Sequence, residues 1–333
     1  MRQQPASKAG SLRFGDEAVA AEGKIRIGIS GWRYKPWRGT FYPEDLPQKK
    51  ELEFASRKLN TIELNGSFYS LQRPANFAAW YESTPEDFQF SIKGSRFITH
   101  MRRLREIEAP LANFFAQGVL RLQEKLGPFL WQFPPNFKFN SELMESFFMQ
   151  LPRSQEEAAE LGRRHEARMK GRTWLEVRKD RKLRHAIEIR SESFVSEEFV
   201  SLLRKYEIAL VKADTVEWPL LMDVTAEFVY CRLHGSEELY ASGYSGEALD
   251  QWANRVALWS RGREVEDGKN ASGKKARRRS ARDVFVYFDN DIKVHAPFDA
   301  QSLRERLLKM DLMDGRGMMN RAAAQFESSH PQG

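Results

Sequence analysis

Eight short apolar runs follow one another along this chain, and five of them end in polar residues where a core strand should stay apolar. Ile62-Glu63-Leu64-Asn65 and Tyr230-Cys231-Arg232-Leu233-His234 show the pattern, with polar residues two positions apart. Side chains two apart on a β-strand share a face, and an unpaired buried charge is strongly unfavourable. The pattern therefore predicts that these polar groups meet in one polar pocket.

The runs have the length and composition of β-strands, and amphipathic segments typical of helices separate them. The predicted strands are 25–31, 61–65, 88–93, 129–133, 184–190, 208–213, 228–234 and 284–290. The predicted helices are 48–59, 74–83, 110–126, 140–151, 154–170, 197–205, 246–261 and 299–310. Only the connection 214–227 lacks a helical pattern, because Trp218-Pro219 interrupts it.

Strands that alternate with helices predict a parallel sheet, and eight strands close a barrel at about this length. We therefore predict an α/β protein with a single TIM-type (β/α)8 barrel whose sixth helix is short or irregular. A doubly wound open sheet is the alternative. Such a sheet usually carries a Gly-rich phosphate loop after its first strand, and Gly31-Trp32-Arg33-Tyr34 is not one.

The barrel domain is predicted at 24–310, after a disordered leader at 1–23 and before a flexible tail at 311–333. The net charge of +7 is concentrated in segment 261–282, which holds nine Lys/Arg and three Asp/Glu. This segment has no apolar periodicity, so it reads as a disordered basic insert. It is either a solubilising loop or an arm that binds polyanions such as nucleic acid, although it lacks aromatic residues that would stack on bases.

Cysteine usage and hydropathy indicate the compartment. Cys231 is the only cysteine, so an intramolecular disulfide is excluded and a reducing environment is favoured. The first residues lack the apolar core of a signal peptide, and no apolar run is long enough to span a bilayer. We expect a cytoplasmic protein that does not associate with membranes.

Several strings in this chain occur together in one order, and that order carries a resemblance. They are GISGWRYKPWRGTFYP (28–43), TIELNGSFY (61–69), ITH (98–100), LWQFPPNF (130–137), IEIRSESF (187–194), YCRLHG (230–235) and VYFDND (286–291). In these strings the chain resembles the domain-of-unknown-function family 72, the YecE-like proteins, over about 25–305. The resemblance implies a single-domain TIM-type barrel and implies no reaction.

The chain departs from that family pattern in two places. The family often has His-x-x-Trp after the Glu-x-Arg of the fifth strand, where this chain has Ser191 and Phe194. It commonly has Asn-Asn in the last strand, where this chain has Asp289-Asn290, so Asp289 adds a negative charge.

TIM barrels carry their sites at the carboxyl ends of the strands, and this places the candidate residues. Glu63 and Glu188 are predicted to act as acid and base, and His234 to transfer a proton or bind a metal. The predicted substrate-binding residues are Trp32, Asn65, Tyr69, Lys93, His100, Gln132, Arg190, Asp214, Arg232, Asp289 and Asn290. Alternatively, Glu188, Arg190 and Arg232 form a satisfied ion network that only fills the barrel.

Three functions remain open from the sequence. The first is an enzyme for a small substrate bearing phosphate or carboxylate, such as a sugar phosphate, with Lys93, Arg190 and Arg232 on the anion. It would be a hydrolase, isomerase or lyase. The second is a nucleic-acid binding or phosphodiester-processing protein that uses 261–282, and the third is a non-catalytic ligand-binding barrel. A divalent metal is compatible with the residue types, but no metal-ligand spacing stands out.

Overall fold

Eight parallel strands close into a barrel in the computed structural model of this protein, which describes residues 22–235, Leu239 and residues 242–313. The strands are β1 Ile25–Ser30, β2 Thr61–Leu64, β3 Gln89–Lys93, β4 Leu126–Gln132, β5 His185–Glu188, β6 Ala209–Asp214, β7 Phe228–Leu233 and β8 Asp283–Phe288. Each strand pairs with the next in sequence, and β8 returns to β1. The prediction of a TIM-type barrel is confirmed. The predicted leader and tail lie outside the described residues, apart from 22–23 and 311–313.

Helices separate the strands close to the predicted positions. They are α1 Glu51–Ser56, α2 Gly66–Tyr69, α3 Pro74–Glu82, α4 Glu108–Ala116, α5 Ser141–Gln150, α6 Gln155–Arg163, α7 Glu197–Lys205, α8 Gly246–Ser260 and α9 Ala296–Lys309. Local chemistry sets their starts: Pro74 occupies the first turn of α3, and the Ser196 hydroxyl accepts the Phe199 N–H at the start of α7. Within the described residues, no helix has the length and apolar character needed to cross a membrane.

Two apolar clusters lie on the two faces of the sheet. The larger fills the layer between strands and helices, where Cys231 and Leu233 of β7 point. The smaller fills the barrel interior and includes Tyr230 and Tyr287, whose rings lie 5.0 Å apart. Because side chains alternate along a strand, Arg232 and His234 face the same interior as Tyr230. The polar ends of the strands therefore form a layer directly above the smaller apolar cluster, which fills the barrel interior.

Segment 261–282, for which the sequence predicts a disordered insert, lies within the described residues and contacts the connection between β6 and β7. It contains no helix and pairs only through an isolated bridge between Lys269 and Leu221, yet it packs along the barrel wall. The Asp223 carboxylate accepts the backbone N–H groups of Ala271 and Ser272 at 2.7 and 3.1 Å. Asp223 belongs to the connection between β6 and β7, which has no helix, as predicted. The insert thus covers the wall where a sixth helix would lie, and these backbone bonds hold it there.

Gly28 marks a close approach between β1 and β2, and we expect Gly28→Ala to destabilise the barrel. A Cβ at this position would stand 1.9 Å from the Thr61 carbonyl oxygen, so the strands would have to separate. The free energy of unfolding should fall by about 3 kcal/mol, the upper end for overpacking. Urea unfolding measures it. Gly273→Ala is the control, because a Cβ there meets nothing within 4 Å. Equal midpoints for the two variants would contradict this expectation.

Candidate active site

A buried ion network centred on Arg232 of β7 occupies the barrel beneath its carboxyl-terminal mouth. The guanidinium donates to Glu63 of β2 from Nε at 3.0 Å and from Nη2 at 2.9 Å. Nη1 donates to Glu188 of β5 at 2.6 Å, and Nη2 also donates to Asp289, just beyond β8, at 2.7 Å. Three carboxylates from three strands therefore share one guanidinium. The structure brings together the residues that the strand-end pattern selected.

Further donors complete the network around each carboxylate. Glu63 accepts the hydroxyls of Ser30 and Tyr230 at 2.8 and 2.6 Å. Glu188 accepts Arg190 Nε at 2.8 Å, and His234 Nδ1 lies 3.1 Å from Asp289 Oδ2. Such groups are stable in an interior only when they are paired in this way.

Arg232 itself is not placed to bind a substrate anion, in contrast to its predicted role. Each of its three nitrogens already donates to a carboxylate, and its side chain is fully buried. The carboxylates raise its pKa well above the usual value against the effect of burial. Arg232 is therefore a fixed positive charge under the site.

Two of the carboxylates, Glu188 and Asp289, are likewise held in one charge state. Burial alone would raise the pKa of Glu188, but Arg232 and Arg190 hold it well below its usual range. Burial acts in the same direction on Asp289, and Arg232 and His234 keep its pKa low as well. An anion of such low basicity neither donates a proton nor accepts one readily at neutral pH. This argues against the predicted acid/base role of Glu188. The network is instead a set of fixed charges beneath the mouth of the barrel.

The mouth also contains polar groups with unused hydrogen-bonding capacity, at the ends of β2, β3 and β4. Lys93, the last residue of β3, is only 9% exposed, and its Nζ makes no hydrogen bond or ion pair with any described residue. Asn65, just after β2, donates to Ser30 at 2.8 Å, but its buried Oδ1 has no partner among the described residues. The buried side chain of Gln132, which ends β4, has no hydrogen bond within that same part of the chain. Three adjacent strands thus present unmatched polar groups side by side.

Lys93 titrates close to neutral pH. Burial lowers its pKa to about 8, helped by the charge of Arg232 and opposed by the carboxylates of Glu63 and Glu188. The ammonium lies 4.6 Å from the centre of the Phe68 ring, a cation–π contact.

The half-buried His100 belongs to the same side of the mouth. Burial and the charges of Lys93 and Arg190 lower its pKa to about 4, so the imidazole is neutral at physiological pH. Its Nδ1 lies 2.9 Å from the Thr99 hydroxyl, and its ring meets Phe68 edge-on. His100 is thus a neutral neighbour of the Lys93 amine.

Asp291 is a titrating group at the mouth that the sequence analysis did not select. Burial and the neighbouring Asp289 carboxylate raise its pKa to about 6. The available signal was the two-residue spacing from Asp289, the same spacing that marks the other strand ends. Lys93 and Asp291 therefore have pKa values on either side of neutrality, about 8 and about 6.

Two predicted site residues instead hold the surrounding structure. The Asp214 carboxylate accepts the indole N–H of Trp252 at 3.1 Å, and so ties β6 to α8. The Asn290 amide donates to the Ser242 carbonyl and to Asp299 at 3.0 and 2.8 Å. Each follows an inward-facing residue directly, so its side chain points away from the barrel axis.

The two aromatic candidates for substrate binding, Trp32 and Tyr69, lie in different surroundings. The Trp32 ring is buried edge-on against Trp80 of α3, with ring centroids 5.7 Å apart. Tyr69 is 66% exposed, and the Arg96 guanidinium lies 5.7 Å from its ring. Trp32 is therefore part of the wall, and Tyr69 part of the outer rim.

No set of three His, Cys, Asp or Glu side chains is arranged to hold a metal ion in the described part of the chain. The carboxylates that converge at the mouth surround the Arg232 guanidinium instead. The divalent metal left open by the sequence therefore gains no ligand set, and we derive no chemistry from one.

Two curated proteins are similar to parts of this chain. UPF0759 protein YunF of Bacillus subtilis (strain 168) is 32% identical over 123 residues, which cover 35% of this chain and 43% of the relative. UPF0759 protein YecE of Escherichia coli (strain K12) is 28% identical over 142 residues, which cover 37% of this chain and 50% of the relative. The chain thus spans about half the length of the curated relatives it matches.

Two solved structures share the fold. A DUF72 family protein from Thermotoga maritima superposes with a TM-score of 0.65 at 23% identity, covering 85% of this chain and 99% of the other. A DUF72 family protein from Enterococcus faecalis gives 0.60 at 17% identity, covering 85% and 95%. At these identities the likeness shows the barrel alone. The family model described as "Protein of unknown function DUF72" matches residues 26–319, and the chain therefore belongs to the DUF72 family.

Proposed function

We propose that this protein is an enzyme for a small anionic substrate, which binds at the mouth on the side formed by β2, β3 and β4. The observation that carries the proposal is the buried Lys93 ammonium, which has three N–H donors and no acceptor among the described residues. Burying such a group without acceptors is unfavourable. A carboxylate or phosphate oxygen would supply strong, charge-assisted hydrogen bonds.

The neighbouring groups support a polar substrate. The Gln132 amide offers two further N–H donors, and Asn65 Oδ1 offers an acceptor. Lys93, with a pKa of about 8, would supply a proton to the bound substrate. The Arg232 network beneath them would supply a fixed field that needs no rearrangement during reaction.

We do not extend the proposal to nucleic acid. Segment 261–282 connects the end of α8 to the start of β8, so both its ends lie at the amino-terminal end of the barrel, opposite the mouth. Lys274 and Arg279 pair with Glu197 and Glu207 at 2.7 and 2.9 Å. Binding of nucleic acid by this segment stays a prediction. A non-catalytic ligand-binding barrel would share the anion site and differ only in the absence of turnover.

The proposal is tested by anion binding to the Lys93→Met variant. Phosphate, glycerol 3-phosphate and pyruvate are the probes, and titration calorimetry with thermal melting is the readout. We expect at least one probe to bind the parent and to bind Lys93→Met at least about tenfold more weakly, the loss of roughly one charged hydrogen bond. Affinity in the parent should fall as pH rises through about 8, because Lys93 loses its proton there.

Lys212→Met is the matched control for this test. Lys212 is also buried with a pKa of about 8, but its Nζ donates to the Asp223 and Leu210 carbonyls at 2.5 and 3.2 Å. It lies on β6, away from the unmatched polar groups, so its removal should leave probe affinity unchanged. Equal affinities of the parent and Lys93→Met would contradict the proposal, and so would the absence of binding by all three probes.

A further inference from the structure

Three lysines are buried in the part of the chain that the structure describes, and Lys93 differs from the other two. Lys125 Nζ donates to the Tyr81 and Thr84 carbonyls at 2.6 and 2.8 Å. Lys212 Nζ likewise donates to two backbone carbonyls. Both amines thus donate to backbone carbonyls of the barrel. Lys93 Nζ, in contrast, lies at the carboxyl end of a barrel strand and has no hydrogen-bond acceptor among the described residues. In this position a lysine can act as a nucleophile.

We propose that Lys93 forms an imine with a small aldehyde or ketone that carries a carboxylate next to its carbonyl group. This inference rests on the proposed function, because it uses the same side of the mouth, and it names the substrate class. It gives Lys93 a covalent role in addition to its charge.

The charge state of Lys93 suits this role. A lysine with a pKa of about 8 is neutral in about one molecule in ten at pH 7, compared with fewer than about one in a thousand for an exposed lysine. The ammonium form attracts the substrate anion, and the amine form attacks the carbonyl carbon. His100 keeps the surroundings polar without adding a positive charge, because its own pKa is about 4.

The reaction balances without an added oxidant or reductant. The Nζ lone pair forms a C–N bond, and the carbonyl oxygen takes up a proton to give a carbinolamine. The C–O bond then breaks, and the oxygen leaves as water. Summed, one ammonium and one carbonyl give one protonated imine and one water. Asn65 Oδ1, which has no partner in the described part of the chain, can accept the carbinolamine hydroxyl.

The carboxylate in the proposed substrate follows from the charge of the product. The protonated imine keeps the positive charge at Nζ, so the need for a neighbouring anion persists after the bond forms. A carboxylate bonded directly to the carbonyl carbon lies beside that charge. The Gln132 amide, on the adjoining strand β4, can donate to it.

Borohydride trapping tests the inference with glyoxylate as the probe. The full chain is incubated with glyoxylate and reduced with sodium borohydride, and the label is located by intact mass and peptide mapping. We expect one carboxymethyl group on Lys93 before Lys125, Lys212 or the exposed lysines react. Labelling should increase as pH rises through about 8, and acetaldehyde, which has no carboxylate, should label Lys93 at least about tenfold less.

Lys93→Arg separates this inference from the proposed function. Arginine keeps the positive charge but forms no imine under these conditions, so the variant should bind pyruvate and lose the specific label. If the label were found on exposed lysines while Lys93 stayed unmodified, the proposal of an imine at Lys93 would be overturned. If binding of phosphate, glycerol 3-phosphate or pyruvate still depended on Lys93, the proposed anion site would stand. If none of the three bound in a Lys93-dependent way, both proposals would fall.

Discussion

Replacing Arg232 with Met is expected to lower the free energy of unfolding by about 3–5 kcal/mol at pH 7, the range for breaking a buried charge pair. Methionine fills much of the same volume as arginine. The lower free energy of unfolding should therefore result from the lost charge and hydrogen bonds more than from a cavity. The variant leaves three carboxylates, two of them fully buried, without the guanidinium that they share. Urea unfolding monitored by tryptophan fluorescence measures the change.

The pH dependence identifies the cause of this destabilisation. In the parent, the pKa values of Glu188 and Asp289 lie below their usual range. Their contribution to stability is thus present above the unfolded-state pKa values of about 4 and is lost as pH falls through the lower folded-state values. Without Arg232, burial raises both pKa values and the carboxyls take up protons in the folded state. The difference between variant and parent should therefore shrink as pH falls from about 7 towards about 4.

Arg184→Met is the control for the loss of an arginine ion pair. Arg184 pairs with Glu227 and Asp283 at 3.5 and 2.7 Å, but its side chain is 29% exposed. Partly exposed pairs contribute up to about 1 kcal/mol. Similar losses for Arg184→Met and Arg232→Met, or a loss for Arg232→Met that stays constant with pH, would show that the network is not the source of the effect.

The barrel, and the meeting of Glu63, Glu188 and Arg232 inside it, could be predicted because both depend on short-range periodicity. Strand length and the alternation of apolar residues located all eight strands to within a few residues. The two-residue spacing then placed Glu63, Glu188 and Arg232 on inner faces, and a parallel barrel brings inner-face strand ends together. Their contact follows from topology, so it needs no knowledge of individual side-chain conformations.

The predicted and observed side-chain directions differ where one residue of register decides the outcome. Asp214 and Asn290 stand at strand ends, but Ala213 and Asp289 occupy the inward positions beside them. Asp291, two residues beyond Asp289, was not selected. The sequence left both an anion-binding role and a satisfied ion network open for Arg232, because the choice depends on how far each strand is shifted relative to its neighbours.

Segment 261–282 shows a different limit of sequence reasoning. Its composition lacks the apolar periodicity of a helix or strand, and this absence predicted disorder. The structure holds it through backbone N–H groups donated to one carboxylate, Asp223, and through a few buried positions such as Val265 and Ser272. Contacts of this kind depend on a single acceptor in a loop that is distant in sequence. The hydrophobic periodicity of the segment itself therefore cannot predict them.

Glu188→Gln is expected to move the pH limit of anion binding below that of the parent. The Glu188 carboxylate raises the pKa of Lys93, while Arg232 lowers it. The amide has nearly the same shape without the charge, so the pKa of Lys93 should fall from about 8 by about one unit, a typical effect of one nearby charge. Binding of pyruvate should then weaken through about pH 7 instead of about pH 8. The same change removes a partner of Arg190 and Arg232 and should cost about 3 kcal/mol of stability.

The full pH curve distinguishes this effect from simple damage to the site. At about pH 6, Lys93 keeps its proton in both proteins, and the variant site has one negative charge fewer. Pyruvate should therefore bind Glu188→Gln at least as tightly as the parent there and more weakly at about pH 8, so the two curves cross. Glu227→Gln is the control, since Glu227 pairs with Lys182 and Arg184 beside the start of β7. Uniformly weaker binding by Glu188→Gln at every pH would mean that its carboxylate only supports the fold. A crossing would mean that the network sets the proton affinity of Lys93.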